Sequence, residues 1–222
     1  MRILAIDSST DFLSVGLSED ERILFEENIL CKKSMGEKLQ ATLSSLLKEQ
    51  ELDFSSIDAY ATAVGPGSFT GLRIGITAAK TFAYVFNKPV IPVSTLAALA
   101  YVFEGYVCPI LDARRNRVYG ALYDNKSEVI KENAHDIELL AEKLSNFSEI
   151  TLTGLGVEQY GKFFEEKLGN KVKIAPFAFR QPKASSVLAL AKHLIELNKT
   201  ESAYALKPNY LKPSQAEMDK NG

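Results

Sequence analysis

Residues 3–20, ILAIDSSTDFLSVGLSED, and residues 109–125, PILDARRNRVYGALYDN, follow one plan. An apolar run ends in an aspartate, a polar turn follows, and an alternating run leads into an acidic or Asn-containing turn. Aligned this way, Asp7 falls on Asp112, Val15 on Gly120 and Leu17 on Leu122. A chain that repeats its opening is constrained to build the same supersecondary unit twice. The rest of each half agrees. In the first, three strands running to about Phe25 precede a helix from about Glu37, with Leu39, Leu43, Leu46 and Leu47 at helical spacing. A buried strand over residues 57–64, a helix, a break at Asn87-Lys88-Pro89, a strand over 90–93 and a helix over TLAALAYVF complete it. In the second, a third strand over 128–130 is followed by a helix capped by Asp136, a strand over 150–153 and a helix over 157–168. A last amphipathic helix over 184–197 carries Val187, Leu188, Ala191, Leu194 and Ile195 on one face.

Two tandem βββαβα lobes define an α/β chain of the actin-like (ASKHA, ribonuclease-H-like) superfold. The expected division is residues 1–104 and 105–210, with helix 184–197 available to pack back on the first lobe and a flexible tail over 211–222. At 222 residues and 46% apolar content the chain buries a full core. Its net charge of −2 gives no general attraction to nucleic acid or to an anionic membrane. Apolar runs stop short of the roughly 20 residues that span a bilayer, which points to a cytoplasmic protein without a membrane segment. Cys31 and Cys108 stand apart and read as reduced thiols. His135 and His193, far apart in sequence, offer no histidine-built metal site.

This superfold hosts kinases, chaperones and inactive scaffolds, so the sites decide function. In its nucleotide-binding members glycines let backbone N–H groups approach phosphates. Here the first turn is Asp7-Ser8-Ser9-Thr10 and the second Asp112-Ala113-Arg114-Arg115-Asn116, both without glycine. Asp7, Thr10 and Asp112 are therefore cofactor candidates only in a degraded form, and each Asp can instead close its own Asx-turn. Gly154 and Gly156 stand where an adenosine-facing turn would be, or simply allow a sharp helix entry; Gln159 occupies the place of a third fingerprint glycine. No cofactor is expected.

The stretch from Ala63 to Ala83, AVGPGSFTGLRIGITAAKTFA, looks like a phosphate cradle but lacks the lysine and second hydroxyl of a P-loop. Gly65, Pro66, Gly67, Ser68, Phe69 and Thr70 form the motif turn, with Ser68 as helix cap. Beyond it Gly71, Gly75, Ala79 and Ala83 recur every fourth residue in one stripe. Two interior glycines cost about 1 kcal/mol each, so a close neighbour is required. Either the lobe's own sheet or a partner's helix can fill that place. The second choice gives Leu39, Leu43, Leu46, Gly71, Arg73, Gly75, Ala79 and Ala83 as interface candidates and no catalytic or metal-binding residue.

ILAIDSST, GPGSFTGLRIG with AAK after it, PVSTLAALA, ILDAR with its VY, and the terminal PNYLKPSQAE together resemble the TsaB (YeaZ) family of bacteria, over nearly the whole chain. GPGSFTGLRIG is the most specific piece. The resemblance implies an actin-like fold and a non-catalytic scaffold role in forming threonylcarbamoyladenosine beside the anticodon of tRNAs that read codons beginning with A. It implies TsaD as the catalytic partner, the ATPase TsaE in the larger assembly, a homodimer when TsaD is absent, and tRNA contact mainly through the partner. Families of this type were once labelled glycoproteases from their similarity to TsaD. Two positions depart from the pattern: Met35 stands where a His is usual, and Arg117 replaces the acid of DARxGEVY. The alternatives are an ATP-dependent kinase on the same fold, or an inactive glycoprotease-like homologue; a peptidase would need a nucleophile or metal that no motif supplies.

Overall fold

The computed structural model describes residues 1–211. They form two units, Met1–Thr95 with Pro182–Asn209, and one built on Leu96–Gln181. The expected tail beyond Leu211 lies outside the described residues.

The first unit holds β1 (Arg2–Asp7), β2 (Phe12–Glu19), β3 (Arg22–Leu30), α1 (Met35–Glu49), β4 (Ala59–Gly65), α2 (Phe69–Phe86) and β5 (Val90–Ser94). Its sheet has the order β3-β2-β1-β4-β5. The β1–β2 and β2–β3 pairs are antiparallel, and β1–β4 and β4–β5 are parallel. Alternation along β2 sends Leu13, Val15 and Leu17 into a core shared with Leu39, Leu43 and Leu46 of α1 and Leu72 and Ile76 of α2. The opposite face meets α6 (Ala184–Glu196), whose Ala184 N–H donates to Ser14 Oγ at 2.6 Å. Covered on both faces, β4 is buried at every residue.

After α6 the chain stays on this unit. Glu201 pairs with Val90 through two backbone hydrogen bonds, Leu206 enters the core, and Asn209 N–H donates to the Val64 carbonyl at 2.7 Å. Residues 182–209, expected in the second lobe with helix 184–197 available to pack back on the first, belong with the first unit, and the helix packs there. The boundary also falls earlier than residue 104. Leu96, Leu99 and Ala100 of α3 (Thr95–Ala100) pack with Val107, Leu111 and Ala121 of the second unit. That helix stops at Ala100, short of the expected Phe103.

The second unit comprises β6 (Tyr106–Asp112), β7 (Arg117–Asp124), β8 (Ser127–Asp136), α4 (Ile137–Leu144), β9 (Ile150–Thr153), α5 (Val157–Leu168) and β10 (Val172–Ile174). Its order, β10-β9-β6-β7-β8, is that of the first sheet read from the other edge. The repeat seen in the sequence is therefore a repeat of topology, and the fold is actin-like as expected. Asp136 caps α4 by accepting the Glu138 N–H at 2.9 Å. The third strand is longer than residues 128–130, and β10 carries no apolar run that would announce it. No helix among the described residues is long and apolar enough to cross a membrane.

Candidate functional site

The GPGSFTGLRIG segment and the β1–β2 turn are built against each other. Asp7 Oδ1 accepts the Ser9 N–H at 2.9 Å and the Ser9 hydroxyl at 2.6 Å, closing the Asx-turn. The Ser9 carbonyl accepts Ser68 N–H at 2.7 Å. Ser8 Oγ donates to the Gly71 carbonyl at 2.8 Å and accepts the Gly75 N–H at 3.1 Å. These are the two backbone groups that a helical turn otherwise pairs with each other. Ser68 Oγ accepts Gly71 N–H at 3.2 Å and caps α2. Thr10 Oγ1 accepts the Phe12 N–H at 3.1 Å.

The glycines follow from this contact. A Cβ on Gly67 would overlap the Ser9 carbonyl oxygen, and one on Gly71 the Ser8 carbonyl oxygen. On Gly75 it would stand 2.5 Å from Ser8 Oγ and 3.3 Å from Ile6 Cγ2. The small stripe of α2 is therefore turned onto its own sheet. Gly71, Gly75, Ala79 and Ala83 are buried, and as interface candidates they are corrected: close approach of β1 and its turn, not of a partner, requires the lack of bulk at Gly71 and Gly75, and Ala79 and Ala83 lie in the core at 0% and 1% exposure. Leu46 is likewise corrected, being sealed in the core at 0% exposure.

The turn's hydroxyls are bonded inside the fold. Both serine hydroxyls have protein partners, while Asp7 Oδ2 is buried with no hydrogen-bond partner among the described residues. Burial raises the Asp7 pKa above the usual carboxylate range, against the opposing pull of the Ser9 hydrogen bonds. In the second unit Asp112 Oδ1 accepts the Arg114 N–H at 2.8 Å and the Tyr160 hydroxyl at 3.0 Å. Gly154 and Gly156 lie against Ile110, whose carbonyl accepts the Gly156 N–H at 3.0 Å. Each of the five cofactor candidates thus serves its own turn. Of the two histidines, His135 is buried with its pKa lowered by that burial, and His193 is exposed beside Glu196. Burial pushes the Cys108 thiol up to about 12, away from reactivity.

With the small stripe facing inward, the adjoining face of α2 is exposed at Thr70, Arg73 and Thr77 and half-buried at Ile74, Ala78 and Phe82. Between it and α1 runs an open groove of about 730 Å³. Leu39 and Leu43 of α1, Ile74, Ala78 and Phe82 of α2, and Phe54 supply its apolar walls. Thr70, Arg73 and Thr77 stand along α2, with the Arg73 guanidinium 4.9 Å from the Phe69 ring centroid. Phe54 stacks on Phe82 with centroids 4.1 Å apart, and the Tyr60 hydroxyl donates to the Phe54 carbonyl at 2.8 Å. Burial first, and the Asp53 charge second, raise the Tyr60 pKa, so its phenol stays protonated. Of the residues lining the groove, Leu39, Leu43 and Arg73 are among the interface candidates of the sequence, whereas Phe54, Ile74, Thr77, Ala78 and Phe82 are not. The signal was present for α2: positions 70, 74, 78 and 82 share a face at fourth-residue spacing, beside the glycine stripe.

The duplicated actin-like sheet, with both Asp turns closed on themselves and an open groove between α1 and α2, defines a two-lobed member of this superfold. A Thermus thermophilus ROK hexokinase superposes with a TM-score of 0.51 over 89% of this chain and 100% of its own, at 12% identity, which shows the fold alone. A Pseudomonas aeruginosa protein described as having similarity to peptidase YeaZ superposes with a TM-score of 0.79 at 25% identity, over 95% and 99% of the two chains. Residues 30–220 match the family model TsaD, tRNA N6-adenosine threonylcarbamoyltransferase. The tRNA threonylcarbamoyladenosine biosynthesis protein TsaB of Bacillus subtilis is 32% identical, covering 98% of this chain and 96% of its own. The chain belongs to the TsaB family.

Proposed function

We propose that this chain is a non-catalytic scaffold subunit of the cytoplasmic machinery that forms threonylcarbamoyladenosine in tRNA, and that it docks the catalytic subunit TsaD through the groove between α1 and α2. The observation that carries this reading is the pairing of an open apolar groove with phosphate turns whose hydroxyls are already bonded within the fold. Burying that groove against a partner helix releases water from the half-buried Ile74, Ala78 and Phe82 above a floor of core residues Leu39 and Leu43, which favours association by roughly 25 cal/mol per Å² of apolar surface. Helix-in-groove recognition needs anchors of this kind. A second copy of the chain uses the same groove when TsaD is absent, and TsaE joins the larger assembly. TsaD supplies most of the contact with tRNA, in keeping with the net charge of −2.

Size-exclusion of the chain with its own organism's TsaD tests this. Wild type co-elutes with TsaD, whereas Ala78→Arg, which places a long cation in the groove, reduces co-elution about tenfold or more while the circular-dichroism spectrum stays native. Thr77→Arg, at an exposed position, repeats the test without touching the core. Co-elution of both variants at wild-type strength would refute the groove assignment. Unchanged threonylcarbamoyladenosine in bulk tRNA after depletion of the protein would refute the pathway.

A further inference from the structure

The tip of the β6–β7 hairpin carries Arg114, Arg115 and Arg117 within four residues, and these three and Asn116 are exposed. They are three of the seven arginines of the chain, the others being Arg2, Arg22, Arg73 and Arg180. None of the three joins an ion pair among the described residues. The carboxylates flanking the tip, Asp112 and Asp136 opposite Arg117, keep their charge but form no ion pair with it among the described residues. Asp112 accepts from the Arg114 N–H and the Tyr160 hydroxyl, Asp136 accepts the Glu138 N–H, and Glu138 pairs with Lys167 at 2.8 Å.

The tip is held in place from two sides. The Arg117 N–H donates to the Arg114 carbonyl at 3.2 Å, with Arg115 and Asn116 at φ 57° and 55°, the geometry of a type I′ turn. Tyr160 of α5 anchors its base through Asp112, and the Asn116 carbonyl accepts the N–H of Ile137 at the start of α4 at 3.1 Å. Three guanidiniums are thus presented by a braced turn, unpaired and in water. Arginine's planar fork suits phosphate oxygens and is less strongly hydrated than an ammonium. All four tip residues being exposed, the tip suits a ligand with repeated charges rather than one phosphate enclosed by buried donors.

We propose that the Arg114–Arg117 tip is a contact site for the phosphate backbone of RNA, giving this chain a contact of its own beside the partner's. The choice of RNA among polyanions rests on the proposed role in tRNA modification; the cationic site itself does not. Fluorescence anisotropy with a labelled tRNA transcript, on the full chain alone and with TsaD, tests it. Relative to wild type, R114A/R115A/R117A is expected to weaken tRNA binding about tenfold or more and to lower the slope of log affinity against log salt by about 3, one for each lost phosphate contact. R114K/R115K/R117K keeps most of that slope, and co-elution of the alanine variant with TsaD stays at wild-type strength. Should the triple variant lose its native circular-dichroism spectrum, R115E is read instead, with an expected loss of about threefold or more. Unchanged affinity and slope, or no tRNA binding by wild type alone or with TsaD, overturns the site. Displacement of tRNA by polyglutamate as readily as by unlabelled tRNA of equal charge overturns RNA as its ligand. Failure of wild type to co-elute with TsaD refutes the scaffold reading and leaves the anisotropy result to stand or fall separately.

Discussion

Gly75→Ala reverses the usual sign of a glycine-to-alanine change in a helix. On an exposed face the substitution gains up to about 1 kcal/mol, because alanine loses less backbone entropy on folding. At Gly75 the new Cβ would stand 2.5 Å from Ser8 Oγ and 3.3 Å from both Ile6 Cγ2 and Thr62 Oγ1. Ser8 cannot move aside without giving up its bonds to the Gly71 carbonyl and the Gly75 N–H, both buried. Each lost bond costs about 1 kcal/mol, and it is the buried Ser8 hydroxyl that is left without a partner, since the two backbone groups can pair within the helix. Overpacking adds about 1–3 kcal/mol. Less the helix gain, the net loss is about 2–4 kcal/mol, which for a chain of this length lowers Tm by about 5–15 °C. Thermal and urea unfolding followed by circular dichroism measure it. Gly36→Ala is the control, since a Cβ there meets nothing within 4 Å, and it should leave stability unchanged or slightly raised. A Tm for Gly75→Ala equal to or above wild type would refute the inward placement of the stripe and return Gly75 to the candidate interface.

Asp7 bears on stability through pH. Its pKa is raised in the fold because burial penalises the charge, so the penalty is fully present above the folded pKa and absent below the ordinary value of 3.8. Asp7→Asn is therefore expected to stabilise the chain at pH 7, with an advantage that shrinks as pH falls towards 3.8; urea melts across that range giving no gain at pH 7 would contradict it. Ser68→Ala removes the cap on α2 and costs about 1 kcal/mol, read as a lower urea midpoint. Co-elution of Ser68→Ala with TsaD stays at wild-type strength, whereas loss of binding without loss of stability would make Ser68 part of the interface.

Much of the fold was legible because its signals are local. The strand Ile150–Thr153 and the helix Val157–Leu168 stand where hydrophobic periodicity put them, and Asp136 and Ser68 cap the helices that their positions announced. Strand β10 escaped, because Val172–Ile174 is too short to show a period and forms only by pairing with β9. The chain division at residue 104 missed for a related reason: Leu96 and Leu99 read as the end of one pattern, yet their burial partners, Val107 and Leu111, lie ahead of them in the second unit.

The candidate site was half legible. Helical spacing shows that Gly71, Gly75, Ala79 and Ala83 share a face, and this much belongs to the sequence alone. It is silent on what that face meets. The answer lies with Ser8, 63 residues before Gly71, and it exists only because β1 pairs between β2 and β4 and so brings its terminal turn under the start of α2. Once the small face is committed inward, Ile74, Ala78 and Phe82 must line the groove with α1. The cluster of arginines at 114–117 was visible in the same way. Its exposure and bracing depend on Tyr160 and Ile137, which reach it from distant points in the chain. Short-range pattern set the elements, the repeat and the caps; long-range pairing decided which faces are closed and which remain open to a partner.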